Sequence, residues 1–183
     1  MMGAGKTTVG RQLAHQLHLE FLDCDTELER RTGARVAMLF EVEGEAGFRE
    51  RETHLLEELT GRPRVVLATG GGAVLREENR RVLRERGLVL YLEASVDDIL
   101  RRVRHDTSRP LLQTGDRRAK IESLLAERAA LYRETAHLVF RSQSGNPRRL
   151  VETILAHPQL AALRQAGLPP AADGPNGPGG PQS

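Results

Sequence analysis

Several residue types are scarce in this chain, and each scarcity closes a route. Of its 183 residues one is cysteine, Cys24, so neither an internal disulfide nor a cysteine-rich metal site can form. There is no tryptophan, and two tyrosines and four phenylalanines are the only other aromatic rings. That leaves few stacking platforms for single-stranded nucleic acid. No apolar run approaches the ~20 residues of a membrane span, and the first residues lack the charged-then-apolar layout of a secretory signal. The expectation is a cytoplasmic monomer with no nucleic-acid partner and no membrane partner. Lysine is scarce too. Of 27 lysines and arginines only Lys6 and Lys120 are lysines, so Lys6 stands out from a background of arginine. Most of those arginines read as solvated helix faces. The net charge of +2 is mild.

What remains is ordinary for a globular domain: 39% hydrophobic and 28% charged residues, with length enough for one core. Residues from Lys6 to about Leu19 read as a helix, with Val9, Leu13 and Leu17 on one stripe. LEFLDCD reads as a strand, TELERRTG as a short helix closed by Gly33, and 36–60 as a helix in two pieces broken near Gly44 and Gly47. RVVLAT, LVLYL at 88–92 and LVF at 138–140 read as strands. Residues 76–86, 95–105, 117–133 and the stretch from Pro147 read as helices. Ser95 is a plausible N-cap, Pro147 sits in a first turn, and Ile121, Leu124, Leu125 and Arg128 share one side. Residues 105–116 read as an irregular loop. From Gly167 a tail with five prolines and five glycines reads as disordered. Short apolar strands alternating with helices predict an α/β protein with one parallel sheet covered on both faces.

GAGKTT opens the chain. Gly3 and Gly5 let the backbone curl so that successive N–H groups face a phosphate, and the helix from Lys6 adds its positive end. Lys6 supplies a mobile charge and Thr7 a hydroxyl for Mg2+. Counted back through G-x-x-x-x-G-K-[ST], the motif's first glycine falls one place ahead of Met1. A strand leading into Gly3 is expected and absent from this chain. The reading is that Met1 is an internal methionine and that the natural chain starts roughly ten residues earlier. Without the ~10 kcal/mol of burial such a strand supplies, this chain is expected to fold poorly or bind nucleotide weakly.

Asp23 and Asp25 flank Cys24. In an extended chain both carboxylates point the same way, suited to a metal and a general base, with Cys24 in the core. Asp25 could instead cap the helix of TELERR, and D-x-D also binds metal-nucleotide in sugar transferases. After VVLAT, Gly70-Gly71-Gly72 removes all side chains, so a ligand can approach the backbone. Arg49 stands near a helix start, and Glu52 three residues on can hold its guanidinium. Arg133 ends a helix, and Arg109 lies in the irregular loop just before Pro110.

MGAGKTTVGRQLA, FLDCD, GEAGFRERE, LATGGGAV, RPLL and LYRETA occur in an order and spacing that resembles the shikimate kinases, over residues 2 to about 155. The resemblance implies a P-loop kinase domain over 1–158, built like the nucleoside monophosphate kinases, with a lid at about 105–118. The tail at 167–183 lies outside it. It implies transfer of the ATP γ-phosphate to the 3-hydroxyl of shikimate, with Mg2+, in aromatic amino-acid synthesis. Gly3, Ala4, Gly5, Lys6, Thr7 and Thr8 would hold the ATP phosphates, with Thr7 and Asp23 serving the metal. Asp25 would bind shikimate hydroxyls and accept the proton. Arg49 and Arg133 would grip the shikimate carboxylate, and Gly70, Gly71 and Gly72 would offer backbone N–H groups. Arg109 would come from the lid onto the phosphates. Arg102 would lie along the adenine, with Asn146-Pro147 edging the same pocket. A gluconate-kinase-like enzyme and a nonenzymatic nucleotide-binding protein are the alternatives.

Overall fold

The computed structural model describes residues 3–103, 116–142 and 145–165. The chain runs α1 (Lys6–Leu17), β1 (Glu20–Asp23), α2 (Cys24–Thr32), α3 (Val36–Thr60), β2 (Val65–Ala68), a single 3-10 turn (Ala73–Leu75), α4 (Glu77–Arg86), β3 (Leu90–Glu93), α5 (Val96–Val103), α6 (Arg117–Thr135), β4 (Leu138–Arg141), α7 (Pro147–Leu155) and α8 (Pro158–Gln165). Asp116 caps α6 by accepting from the Ala119 N–H, so the lid expected at 105–118 ends in helix. Residues 104–115, with Arg109, and the tail expected at 167–183 lie outside the described residues.

The strands are parallel, as their apolar runs require, but they form two pairs. β1 lies beside β2 with Glu20 opposite Val65, and β3 beside β4 with Leu90 opposite Leu138. The single sheet expected from the sequence is therefore corrected. Among the described residues no ladder joins one pair to the other. Helix α1 spans the division. Gly10 lies so close to β1 that a Cβ there would come within 2.7 Å of the Phe21 ring. Val9 and Leu13, from the same helix, join the core around β3 with Leu92, Ile99, Val151 and Ile154. A second core, with Leu28, Phe48, Leu55, Leu56 and Leu59, fills the space between α2 and α3. Each such side chain stabilises by about 1.5–3 kcal/mol when fully buried.

Two local corrections bear on the site. The strand after α1 stops at Asp23, and Cys24 already opens α2, so the D-C-D segment is not extended. The N-cap is Asp23, not Asp25: its Oδ1 accepts from the backbone N–H of Asp25 and of Thr26. An aspartate in this place satisfies two otherwise orphaned amides and complements the helix dipole. The break expected in the long helix is real and sits at Gly44, whose φ of 70° and ψ of 179° are non-helical. Only glycine adopts that backbone readily. An ion pair from Arg51 to Glu43, 2.6 Å, straddles the kink.

Candidate active site

The opening loop folds as a phosphate loop. Gly5, at φ 87°, turns the chain into α1, and no side chain caps the start of the helix. Two side chains from distant elements brace the loop through its carbonyls. Ser142, just past β4 and buried, donates to the Ala4 carbonyl at 2.7 Å. Arg102 of α5 donates to the Gly3 carbonyl at 3.0 Å and to both Oγ and carbonyl of Ser142. A cavity of about 320 Å³ opens here, lined by Gly3, Gly5, Lys6, Thr7, Thr8, Arg102 and Val103. Ala4 is fully buried and supplies backbone only. Asn146 caps α7 through the Arg148 N–H, with Pro147 in the first turn as expected.

Thr7 ties this end to the next. Its hydroxyl donates to Asp23 Oδ2 at 2.8 Å, while Asp23 Oδ1 serves the start of α2. Two residues further on, Asp25 reaches the glycine run. A Cβ on Gly70 would lie 3.2 Å from Asp25 Oδ1 and 2.7 Å from Glu52 Oε1. A Cβ on Gly72 would collide with the guanidinium of Arg49. The glycine run is therefore enclosed by two carboxylates and an arginine, which is why no side chain fits there.

Arg49 is held from several directions. It pairs with Glu52 at 2.7 Å and with Glu45 at 3.3 Å. The rings of Phe40 and Phe48, stacked 4.1 Å apart, approach its guanidinium, with ring centroids 5.6 and 5.2 Å from its central carbon. Phe40 reaches this position because Gly44 folds the front of α3 back. Glu52 is buried, and burial pushes its carboxyl above the usual range although Arg49 pulls the other way. Burial also pushes the Cys24 thiol up, with the neighbouring carboxylates adding to it.

Two arginines in the second half of α6, Arg128 and Arg133, separate sharply. Arg133 is 61% exposed and pairs with Glu93 at 2.6 Å, facing the ends of β3 and β4 instead of the glycine run. Arg128 is 11% exposed. It lies close enough to Glu52 to lower that carboxyl's pKa, and it donates to the Tyr132 hydroxyl. Tyr132 in turn donates to the Gly71 carbonyl at 2.6 Å. Sequence reasoning did not assign Arg128 to the site, although one signal was available: it shares a helix face with Ile121, Leu124 and Leu125. A charge set in an apolar stripe needs a partner.

A phosphate loop joined through Asp23 and Asp25 to a glycine-lined cradle defines an α/β P-loop phosphotransferase acting on a small molecule. The comparisons make this specific. A family model described as shikimate kinase matches residues 2–158. The shikimate kinase of Ralstonia nicotianae is 53% identical over 175 residues, 96% of this chain and 90% of that one. That of Nitrosospira multiformis is 54% identical over 154 residues, 84% and 79% of the two chains. The solved shikimate kinase of Acinetobacter baumannii, in complex with shikimate, is 52% identical with a TM-score of 0.82, covering 84% of this chain and 86% of that one. The enzyme of Aquifex aeolicus superposes with a TM-score of 0.73 at 31% identity, over 89% and 94%. The chain belongs to the shikimate kinase family and is a phosphotransferase of the shikimate pathway. Among the described residues no helix is long and apolar enough to cross a membrane.

Proposed function

We propose that this chain carries out its family's reaction: transfer of the ATP γ-phosphoryl group to the 3-hydroxyl of shikimate, yielding shikimate 3-phosphate and ADP for aromatic amino-acid synthesis. One observation carries the reading. The three residues Asp23–Asp25 touch both ends of the site, Asp23 through Thr7 of the phosphate loop and Asp25 at the glycine run. Donor and acceptor are thereby held side by side, and phosphoryl transfer depends chiefly on such positioning and on charge neutralisation.

Gly3, Gly5 and Thr8 present backbone groups to the ATP phosphates, Lys6 stabilises charge as it moves onto the leaving oxygen, and Arg102 flanks the nucleotide. The adjoining hydroxyl of Thr7 and carboxylate of Asp23 form an all-oxygen donor pair that suits Mg2+, a hard ion usually held jointly by one or two protein oxygens and substrate phosphates. Mg2+ bound with ATP would supply neutralisation of phosphate charge there. Asp25 orients the acceptor hydroxyl and takes its proton. Arg49 binds the shikimate carboxylate in a charge-assisted pair, with its fork pre-aimed by Glu52 and the two phenyl rings. Arg128 supplies the second positive group, because it is largely buried beside Glu52 whereas Arg133 is exposed against Glu93. Backbone amides of Gly70–Gly72 receive the acceptor where no side chain intervenes. Arg109, outside the described residues, would serve the phosphates as the family resemblance implies.

The deciding assay is ADP release from Mg·ATP by the chain, with and without shikimate. Shikimate-dependent release supports the reaction. Release with gluconate instead would move the chain to a related acceptor class, and release independent of any acceptor would overturn the assignment.

A further inference from the structure

The glycine run at the end of β2 has no side chains, so its backbone is held only from outside. Two of its carbonyls are satisfied locally: Gly70 accepts from the Ala73 N–H at 3.3 Å and Gly72 from the Leu75 N–H at 3.0 Å. The Gly71 carbonyl turns the other way and accepts from the Tyr132 hydroxyl at 2.6 Å. We propose that Tyr132 is a positioning residue for the acceptor: its hydroxyl fixes the plane of the Gly71–Gly72 peptide, and so the direction of the amide that meets shikimate. The inference rests on the reading that the glycine run receives shikimate.

In a planar trans peptide the carbonyl and the following N–H point in opposite directions. Holding the Gly71 carbonyl against α6 therefore aims the Gly72 N–H away from α6. Left alone, a diglycine peptide plane rotates more freely than any other, and a rotated plane would present a carbonyl where a donor is needed. Tyr132 is suited to prevent this. It is buried, and its ring stacks on Tyr91 with centroids 5.1 Å apart. Its oxygen also accepts from Arg128 one helical turn earlier, so α6 locks the glycine run and a cradle arginine through a single atom. Burial pushes the hydroxyl up to about 12, so it stays protonated and a donor at any working pH.

Tyr132→Phe keeps the ring and removes only the hydroxyl. In the full chain, the KM for shikimate and its calorimetric Kd without nucleotide should rise about tenfold, the scale of one buried hydrogen bond. The KM for ATP should stay within about twofold, and Tyr91→Phe should leave all three constants unchanged. A merely structural anchor would instead lower the melting temperature and shift both KM values together, and that result overturns the proposal. A measurement on the unaltered chain stands beside it: the Gly72 amide resonance must shift on saturation with shikimate, and a Gly72 amide that does not shift also overturns the proposal. Wild-type chain that binds no shikimate would remove the functional reading and this inference together. Wild-type binding matched by equal binding in Tyr132→Phe would remove the inference alone.

Discussion

The two ends of the site are built on opposite plans. At the proposed nucleotide end the backbone amides of the loop form the cradle, the side chains of Lys6 and Thr7 project from it, and Ser142 and Arg102 hold it by its carbonyls. At the proposed acceptor end the backbone is reduced to bare glycine. Side chains converge on it from α2, α3 and α6: Asp25, Arg49, Glu52, Arg128 and Tyr132. A phosphate chain is the same in every nucleotide, so a generic cradle of amides serves. A small acid bearing several hydroxyls must be told from its isomers, and that takes individually aimed charges and donors.

Perturbing each end separately sharpens the contrast. The largest effect is expected from Lys6→Ala. It should lower kcat about 10²–10³-fold, the cost of losing one group that stabilises developing charge, while the melting temperature stays put. Next is Arg49→Leu, which should raise the KM for shikimate about 10- to 100-fold through loss of a charge-assisted bond, with little change in the KM for ATP. Equal rises in both constants would break the division between the two ends.

Glu52→Gln should act more mildly and reveal itself through pH. The folded-state pKa of Glu52 is raised by burial, so between the ordinary carboxylate value and the raised one the folded chain binds more protons than the unfolded chain. Wild-type stability relative to Glu52→Gln must therefore fall as pH rises through that window. Glu27 on α2 has the opposite sign. Hydrogen bonds from Arg30 and Arg31 lower it to about 2, so its contribution is present above the ordinary value and is lost as pH falls toward 2. Melting curves of wild type, Glu52→Gln and Glu27→Gln from pH 3 to 8 separate the two slopes. The smallest effect belongs to Cys24. Buried and with its thiol pushed up, it should resist iodoacetamide at pH 8 in the native chain and react once the chain is unfolded in urea. Ready labelling of the native chain would show that the core between α2 and α3 opens.

The same division explains what could be read in advance. The phosphate loop is contiguous, so GAGKTT named its own residues. Arg49 and Glu52 lie one turn apart and were legible as a pair. The strands and most helices announced themselves by apolar spacing. The side-by-side division of the sheet did not, because strand order is not written in local pattern. Which arginine of α6 faces the glycine run depends on how that helix is rotated against β2 and α3. LYRETA drew attention to Arg133, whereas tertiary packing turns Arg128 inward and leaves Arg133 to Glu93. The D-C-D segment misled for a local reason: the amides of α2 needed an acceptor, and the strand ended at Asp23, two residues short of the Asp25 that alternation suggests.

The kink at Gly44 has a mechanical consequence. It divides α3 into a short forearm, from Val36, and a long upper arm that carries Arg49. Val36 stands about 12 Å from that elbow at a helical rise of 1.5 Å per residue. A swing of about 10° at the elbow carries the forearm's tip through about 2 Å, over which the upper arm need not move. Phe40, midway along the forearm, would slide over the guanidinium by about half as much. If Arg49 holds the acceptor's carboxylate as proposed, that grip has a built-in gear ratio, set by one residue without a side chain.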